Sequence, residues 1–387
     1  MRYRIAFEAD KHWGAMKMED QYRSSYILKR FLADAKIDLY VCLGDFFDTK
    51  HLLNSKSSIY ALRDFQDKLE ICKARGIPVR AIRGTMGHDY DQWKVFNHFM
   101  DDPSYHFKYF DMCTIEETLP ELHIWYAPEE NISFGDYMER YGELLMGDRT
   151  IHIAAMHGNF DRIMPDVAVK ANEMNADTTT LIYHYDDLVS LVHGPMVAGH
   201  WHNGETFEHL SYVGSYDRWT FAEEDPKGFA IYEYDTETEE YRHILVPNFM
   251  AADYKTYEIH TSVIRTPDEY AAVIEAVEAS IAEDPTRHVR ILCRLDEMLS
   301  DTEQQIDHVK YHFSNERRVH FTLINQIRQE KKRQEKQKKK KLNSTFGFIH
   351  DKSIDIPEKI QKYILLTTGK NYRVADIRGV VERYTIS

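Results

Sequence analysis

Cysteine is scarce in this chain. The four residues Cys42, Cys72, Cys113 and Cys293 are far apart in 387 positions and form no Cys-x-x-Cys pair. That spacing argues against a disulfide framework and leaves buried thiols in a reducing, cytoplasmic compartment as the simplest reading. No apolar run approaches the roughly 20 residues that a membrane span requires, so no membrane partner is expected. Met1–Phe7 alternates charged and apolar residues, the pattern of a strand and not of a secretory signal. An excess of positive charge is missing too. Lys+Arg 49 against Asp+Glu 63 gives a net charge of −14, which argues against coating nucleic acid through bulk charge. Action on DNA would need bound cations and local basic patches.

With 43% apolar and 13% aromatic residues the chain is globular. Strand-like runs at Arg4–Glu8, Leu39–Gly44, Val79–Arg83, Leu122–Tyr126, His152–His157, Met196–Gly199 and Leu210–Val213 alternate with helix-length segments such as Glu19–Ala35 and Ser58–Arg75. This predicts an α/β fold, a sandwich with helices covering the sheet, over residues 1–250. Phe229–Pro247 reads as a hairpin around the turn Asp235–Glu240. A small αβ unit is expected over 251–327, then a basic linker over 328–341. The run Arg328–Lys341 has nine basic and two acidic residues. A helical tail comes next over 342–387, where Ile356, Ile360, Tyr363 and Ile364 recur at helical spacing and would form an apolar stripe for a partner.

The residues with chemical potential come directly after the strands, where sites form in open α/β sheets. Asp10-Lys11-His12 follows the first, Gly44-Asp45-Phe46-Phe47-Asp48 the second and Gly84-Thr85-Met86-Gly87-His88-Asp89 the third. His157 ends a later strand, and Gly199-His200-Trp201-His202 ends another. Any one of these is ordinary: Gly-Asp favours turns, and a strand-ending histidine is commonly a core residue. The ordered set points to a metal centre, because carboxylate oxygens and imidazole nitrogens suit manganese, iron or zinc. In Asp-x-His and His-x-His an extended two-residue step points both side chains to one side. A carboxylate such as Asp45 can bridge two metals. His51, just beyond the Asp45–Asp48 loop, is a candidate substrate contact.

The ordered set resembles the signature of calcineurin-like metallophosphoesterases over about residues 5–220. The resemblance implies one metal held by Asp10, His12, Asp45 and His202, and a second held by Asp45, His157 and His200. It implies two divalent ions, manganese foremost, and phosphodiester hydrolysis, with His88 as a catalytic residue near the scissile phosphate and Asp89 fixing its tautomer. Tyr212-Val213-Gly214-Ser215 and Lys227-Gly228-Phe229 resemble segments of SbcD-type double-strand-break repair nuclease subunits. That likeness implies a DNA exonuclease or endonuclease for repair or recombination. It implies 251–327 as a DNA-binding capping domain and 342–387 as the segment docking a SbcC-like coiled-coil ATPase. It also implies a homodimer through helices such as Ser58–Arg75 and Asp91–Met100, and a nucleoid-associated place in the cytoplasm, the host's for a virus-encoded chain.

The third motif departs from the family, which has Gly-Asn-His with the Asn amide as a ligand of the second metal. Here the Asn is missing. Thr85 could supply a hydroxyl, a loop carbonyl or water could substitute, or the second metal could bind weakly. Two rival readings stay open: a phosphatase or phosphodiesterase on non-DNA substrates, and a weakly catalytic scaffold for the ATPase.

Overall fold

Short apolar runs that end in Gly, Asp or His become the parallel strands of the chain. The computed structural model describes residues 1–52, 55–164, 181–218, 220–221, 223, 225–284, 287–297, 301–325 and 353–384. Two compact units are present, Met1–Thr256 with Ala279–Arg290, and Tyr257–Glu278 with Ile291–Ser387. The linker 328–341 lies outside the described residues.

Along the first unit run β1 (Arg2–Glu8), β2 (Leu39–Cys42), β3 (Val79–Ile82), β4 (Phe107–Phe110), β5 (Thr114–Leu119), β6 (Leu122–Ala127) and β7 (Ile153–His157). They continue as β8 (Asn159–Phe160), β9 (Ile182–Tyr183), β10 (Met196–Gly199), β11 (Glu205–Phe207), β12 (Leu210–Tyr212), β13 (Gly228–Asp235) and β14 (Tyr241–Pro247). Two six-stranded sheets result, ordered β14-β13-β1-β2-β3-β4 and β11-β12-β10-β7-β6-β5. β1 to β4 are mutually parallel, as are β6, β7, β10 and β12. The hairpin β13–β14 closes on β1 antiparallel, with Ile5 opposite Tyr232.

Alternation along each strand sorts side chains into three cores. Ile5, Phe7, Leu39, Val41 and Ile82 of the first sheet pack with Leu122, Ile124, Ile153 and Val197 of the second, forming the layer between the sheets. Ala6, Tyr40, Cys42, Val79 and Ala81 face the other way, onto Leu28, Leu32, Phe65 and Leu69. Trp125, Ala154 and Met156 pack against Tyr137 and Leu145 of the helix Phe134–Leu145. The first unit is therefore an α/β fold of two face-to-face sheets with helices outside both.

The helix Lys56–Arg75 starts where the Ser55 hydroxyl accepts from the Ser58 N–H, and stops at Gly76 in the left-handed region, φ 67°. The segment Glu19–Ala35 is two helices, Met18–Ser24 and Tyr26–Asp34, instead of one. The cause is a side chain inserted in the ladder: the Tyr216 hydroxyl accepts from the Leu28 N–H at 3.2 Å and donates to the Ser24 carbonyl at 3.0 Å. Asp91–Met100 is a 3₁₀ turn, Gln92–Phe96, followed by a short helix, Asn97–Met100. Phe65, Leu69, Trp93, Phe96 and Phe99, the apolar residues of the two segments expected to pair subunits, are buried within this unit. All four cysteines are buried and unpaired.

Beyond the first two sheets come β15 (Tyr254–His260), β16 (His288–Leu295) and β17 (Val319–Asn325), a three-stranded sheet in that order, with helices Pro267–Glu283 and Thr302–His312. In the second unit Ile259, Tyr270, Val277, Ile291, Cys293 and Val309 are buried. The tail forms helices Ile356–Thr368 and Val374–Tyr384, the first capped by the Asp355 carboxylate and ended by Gly369. Ile360 and Ile364 line a small apolar cavity with Tyr372, Ile377 and Val380, while Ile356 and Tyr363 are exposed. No described helix is long and apolar enough to cross a membrane.

Candidate metal centre

Every strand-end motif read from the sequence arrives at one edge of the first unit. Three groups of ligand-type side chains result, Asp10–His12–His202, His12–Asp45–His88 and Asp45–His157–His200, with one ligand atom from each residue within 4.8 Å of the others in its group. Asp45 and His12 each belong to two groups. Asp10, His12, Asp45 and His157 are buried, whereas His200 and His202 keep 23% and 28% of their side chains exposed, which makes theirs the open side.

The backbone is forced into place here. Asp10, His12, Asp45 and His200 have φ of 49°, 45°, 46° and 99°, four of the nine non-glycine residues with positive φ among those described. Such conformations cost of order 1–3 kcal/mol each and persist where the surroundings over-determine them. The crossing at Gly84 is tight as well: a Cβ there would strike the backbone nitrogen of Asp45. Hydrogen bonds complete the frame. Asp10 N–H donates to the Gly44 carbonyl at 3.2 Å, His12 N–H to the Asp45 carbonyl at 2.9 Å, and His200 N–H to both Asp10 oxygens at 3.0 and 2.9 Å.

Each imidazole is oriented by its second nitrogen. Nδ1 of His157 donates to the Leu43 carbonyl at 2.6 Å, which turns Nε2 to Asp45 Oδ2 at 3.3 Å. His200 meets the Asn159 amide through Nε2 at 3.0 Å, so Nδ1 faces the cluster. Nε2 atoms of His12 and His202 approach to 3.2 Å, and His202 Nδ1 lies 3.7 Å from Glu223. Burial alone would lower the His202 pKa, but the Glu223 carboxylate raises it. For Asp45 burial acts upward, and the charge of His157 overrides it to hold the carboxyl below its ordinary range. His157 is the counterpart: burial acts downward, and Asp45 lifts it to about 10.

The third motif folds as one helical turn, Met86–Asp89, preceded by Thr85. His88 belongs to the cluster, with Nδ1 on the Asp48 carbonyl. Asp89 is placed elsewhere than on the His88 ring. Its oxygens accept from Phe47 N–H at 3.1 Å and Gly84 N–H at 2.7 Å, so it staples two motif loops together. The His88 tautomer is set by the Asp48 carbonyl, since a carbonyl only accepts. Burial, then the Asp45 charge, raises Asp89 to about 6. Thr85 reaches the cluster: its N–H donates to Asp45 Oδ1 at 2.6 Å, and its hydroxyl lies 3.1 Å from Asp45 Oδ2. His51 lines a cavity with Lys50, Met86 and Tyr90, and its Nε2 is engaged by the Trp13 carbonyl at 2.5 Å.

One residue of the cluster carries no sequence motif. Glu129, 3% exposed, comes just after β6 and brings Oε2 to 3.4 Å from His200 Nδ1 and 3.9 Å from His157 Nε2. A signal for it was present: β6 is a strand like the others, and Ala127-Pro128-Glu129 sits at its carboxyl end.

The donor set fits a cation. Buried carboxylates and imidazoles converge with their ligand atoms inward and their other atoms tied to the frame, which is what a divalent ion requires. No family model and no curated protein matches the chain. Among solved structures, one crystal structure is similar over 63% of this chain and 99% of its own, at 10% identity and a TM-score of 0.38, a likeness that carries no argument about function.

Proposed function

We propose that the chain is a metal-dependent phosphodiesterase of the calcineurin-like type, cleaving DNA in partnership with a SbcC-like ATPase. The observation that carries this reading is the meeting of Asp10, His12, Asp45, His157, His200 and His202 in groups that overlap at His12 and Asp45. Two ions fit that sharing, one with Asp10, His12, Asp45 and His202, the other with Asp45, His157 and His200. Manganese is the expected activator, because histidine-rich sites disfavour magnesium. Such ions, when bound, supply Lewis-acid polarisation and a water of lowered pKa.

The chain's own residues do the rest. Asp45 holds both ligand groups in register. The Leu43 carbonyl and Glu223 orient His157 and His202. His88, with its Nδ1–H on the Asp48 carbonyl, keeps Nε2 for the leaving oxygen, to which it donates a proton or offers positive charge in its imidazolium form. Asp89 fixes the loop that carries His88. The half-exposed side formed by His88, His200 and His202 is where the phosphodiester enters.

The residues beyond the site favour DNA over small phosphoesters. They form a separate αβ unit and a tail whose Ile356 and Tyr363 are exposed, the expected surface for the ATPase. A symmetric dimer belongs to the same reading, through faces of the segments Ser58–Arg75 and Asp91–Met100 other than the buried Phe65, Leu69, Trp93, Phe96 and Phe99. The test compares single-stranded and plasmid DNA with a chromogenic phosphomonoester, in manganese and in chelator. Cleavage of DNA that chelator abolishes supports the reading. Turnover of the monoester without DNA cleavage would instead establish a phosphatase, and inertness toward both with metal bound would establish a scaffold.

A further inference from the structure

At the place where the family resemblance leads one to look for an Asn amide, a carboxylate stands close by. We propose that Glu129 completes the ligand set of the cation held by Asp45, His157 and His200. The inference rests on the metal-centre reading above and deepens it.

Position is the first ground. β6 lies beside β7 in the second sheet, in register and parallel, with Ala127 opposite Met156. Glu129 therefore leaves the same sheet edge as His157, and the Arg83 guanidinium pins its carbonyl there at 2.9 Å. The second ground is the company its carboxylate keeps. Oε2 lies 2.9 Å from the Thr85 hydroxyl, 3.4 Å from His200 Nδ1 and 3.9 Å from His157 Nε2. These are all members of the same cluster. The nearby guanidinium of Arg83 goes to the backbone instead. The cationic groups that this carboxylate, 3% exposed, faces are the imidazoles of His200 and His157, and an ion ligated by those two rings would take their place as its positive partner.

The third ground concerns Thr85. Its single hydroxyl oxygen is surrounded by Asp45 Oδ2 at 3.1 Å, Glu129 Oε2 at 2.9 Å, His200 Nδ1 at 3.3 Å and His157 Nε2 at 3.4 Å. One hydrogen serves one carboxylate at a time. A neutral hydroxyl brings no charge to a cation, and a carboxylate does. Thr85 thus acts as a positioning residue that ties Asp45 to Glu129, and Glu129 carries the ligand oxygen.

The consequence is an even division of charge. With Glu129 included, each ion has two carboxylates and two imidazoles, Asp45 being shared. An amide replaced by a carboxylate strengthens the second site, so two ions of similar affinity are expected, where the missing Asn alone predicts a weak second ion.

The experiment is a manganese titration of the full chain by calorimetry, with metal content counted by mass spectrometry after dialysis. Wild type should bind two ions of similar affinity. Glu129→Leu, which leaves no donor atom, should keep one and weaken the other by more than the roughly 10–100-fold that loss of an outer hydrogen-bond partner costs. Thr85→Val should retain both. Thermal melting shows whether each variant is folded. If Glu129→Leu is not, Glu129→Asp, which draws the charge back by one methylene, should show the same selective loss. Two tight ions in a folded Glu129→Leu chain would overturn the assignment of Glu129 and leave the two-metal reading standing. Loss of the second ion in Thr85→Val but not in Glu129→Leu would make Thr85 the ligand. Fewer than two ions in wild type would overturn the two-metal reading itself.

Discussion

In the first unit Glu8, Asp10, Asp45, Asp64, Asp89, Glu129 and Asp217 are buried together with Lys11 and Lys68, whereas in the second unit no described Asp, Glu, Lys or Arg is fully buried. Burying that much charge demands a partner for each group. Behind the Asp10–His12 loop, Glu8 receives Lys68 at 2.9 and 2.8 Å and the Tyr40 hydroxyl, Lys68 reaches Asp64 at 2.9 Å, and Lys11 reaches Asp217 at 2.5 Å. In the second unit the pair Glu258–Arg294, at 3.2 Å, is open to solvent. The contrast separates a region where charge is buried and paired from one where charge meets water. It also predicts that equal-looking substitutions will have unequal effects.

Asp45→Asn should have the largest effect. It removes the shared charge, so manganese-dependent hydrolysis should drop to background while circular dichroism keeps the wild-type spectrum. Undiminished turnover would break the proposed centre. Lys68→Met leaves Glu8 buried without its cation and Asp64 with Lys29 alone, at 3.3 Å, and should cost about 3–5 kcal/mol in denaturant unfolding. Removing residues from Leu342 onward should spare metal-dependent cleavage of single-stranded DNA and abolish co-purification with the ATPase. Loss of cleavage together with unfolding would place the tail in the core instead.

The pH dependence sharpens the same comparison. His157 has its pKa lifted from 6.5 to about 10 by Asp45, so its contribution to the stability of the metal-free chain is complete below pH 6.5 and is lost as pH rises through about 10. A metal must displace that proton, so manganese affinity should rise about tenfold per pH unit across this window, with about one proton released per chain at neutral pH. Calorimetry in buffers of different ionisation enthalpy reads the proton directly. The smallest effect belongs to the second unit: Arg294→Ala should change stability by only about 0.2–1 kcal/mol.

The strands that build the site were legible because their apolar runs are short and end in Asp-x-His, Gly-Asp or Gly-His-x-His. β4 and β5 were not. Phe107–Phe110 and Thr114–Leu119 are edge segments with mixed burial, so neither a clean alternation nor an apolar run marks them. The break at Ser25 could not be read locally, because its cause, Tyr216, lies 188 to 192 residues away. Glu129 was missed for a related reason: a lone carboxylate after a proline forms no motif, and only the neighbouring strand gives it meaning. Asp89 shows the opposite case, a motif residue correctly brought to the centre whose bonds go to Gly84 and Phe47 and not to the His88 ring.

The order of strands in the first sheet has a consequence in time. β1 is made first, yet one of its two neighbours, β13, is made last but one in that sheet, and the Asp10 carboxylate finds its backbone donor at His200, 190 residues further on. At about 5–20 residues per second of synthesis, the two halves of the centre are separated by roughly 10–40 s. Until β10 has emerged and docked, a growing chain has Asp10, His12 and Asp45 but not His200 and His202 to close around an ion. A ribosome stalled anywhere before residue 202 therefore carries an incomplete set of these side chains.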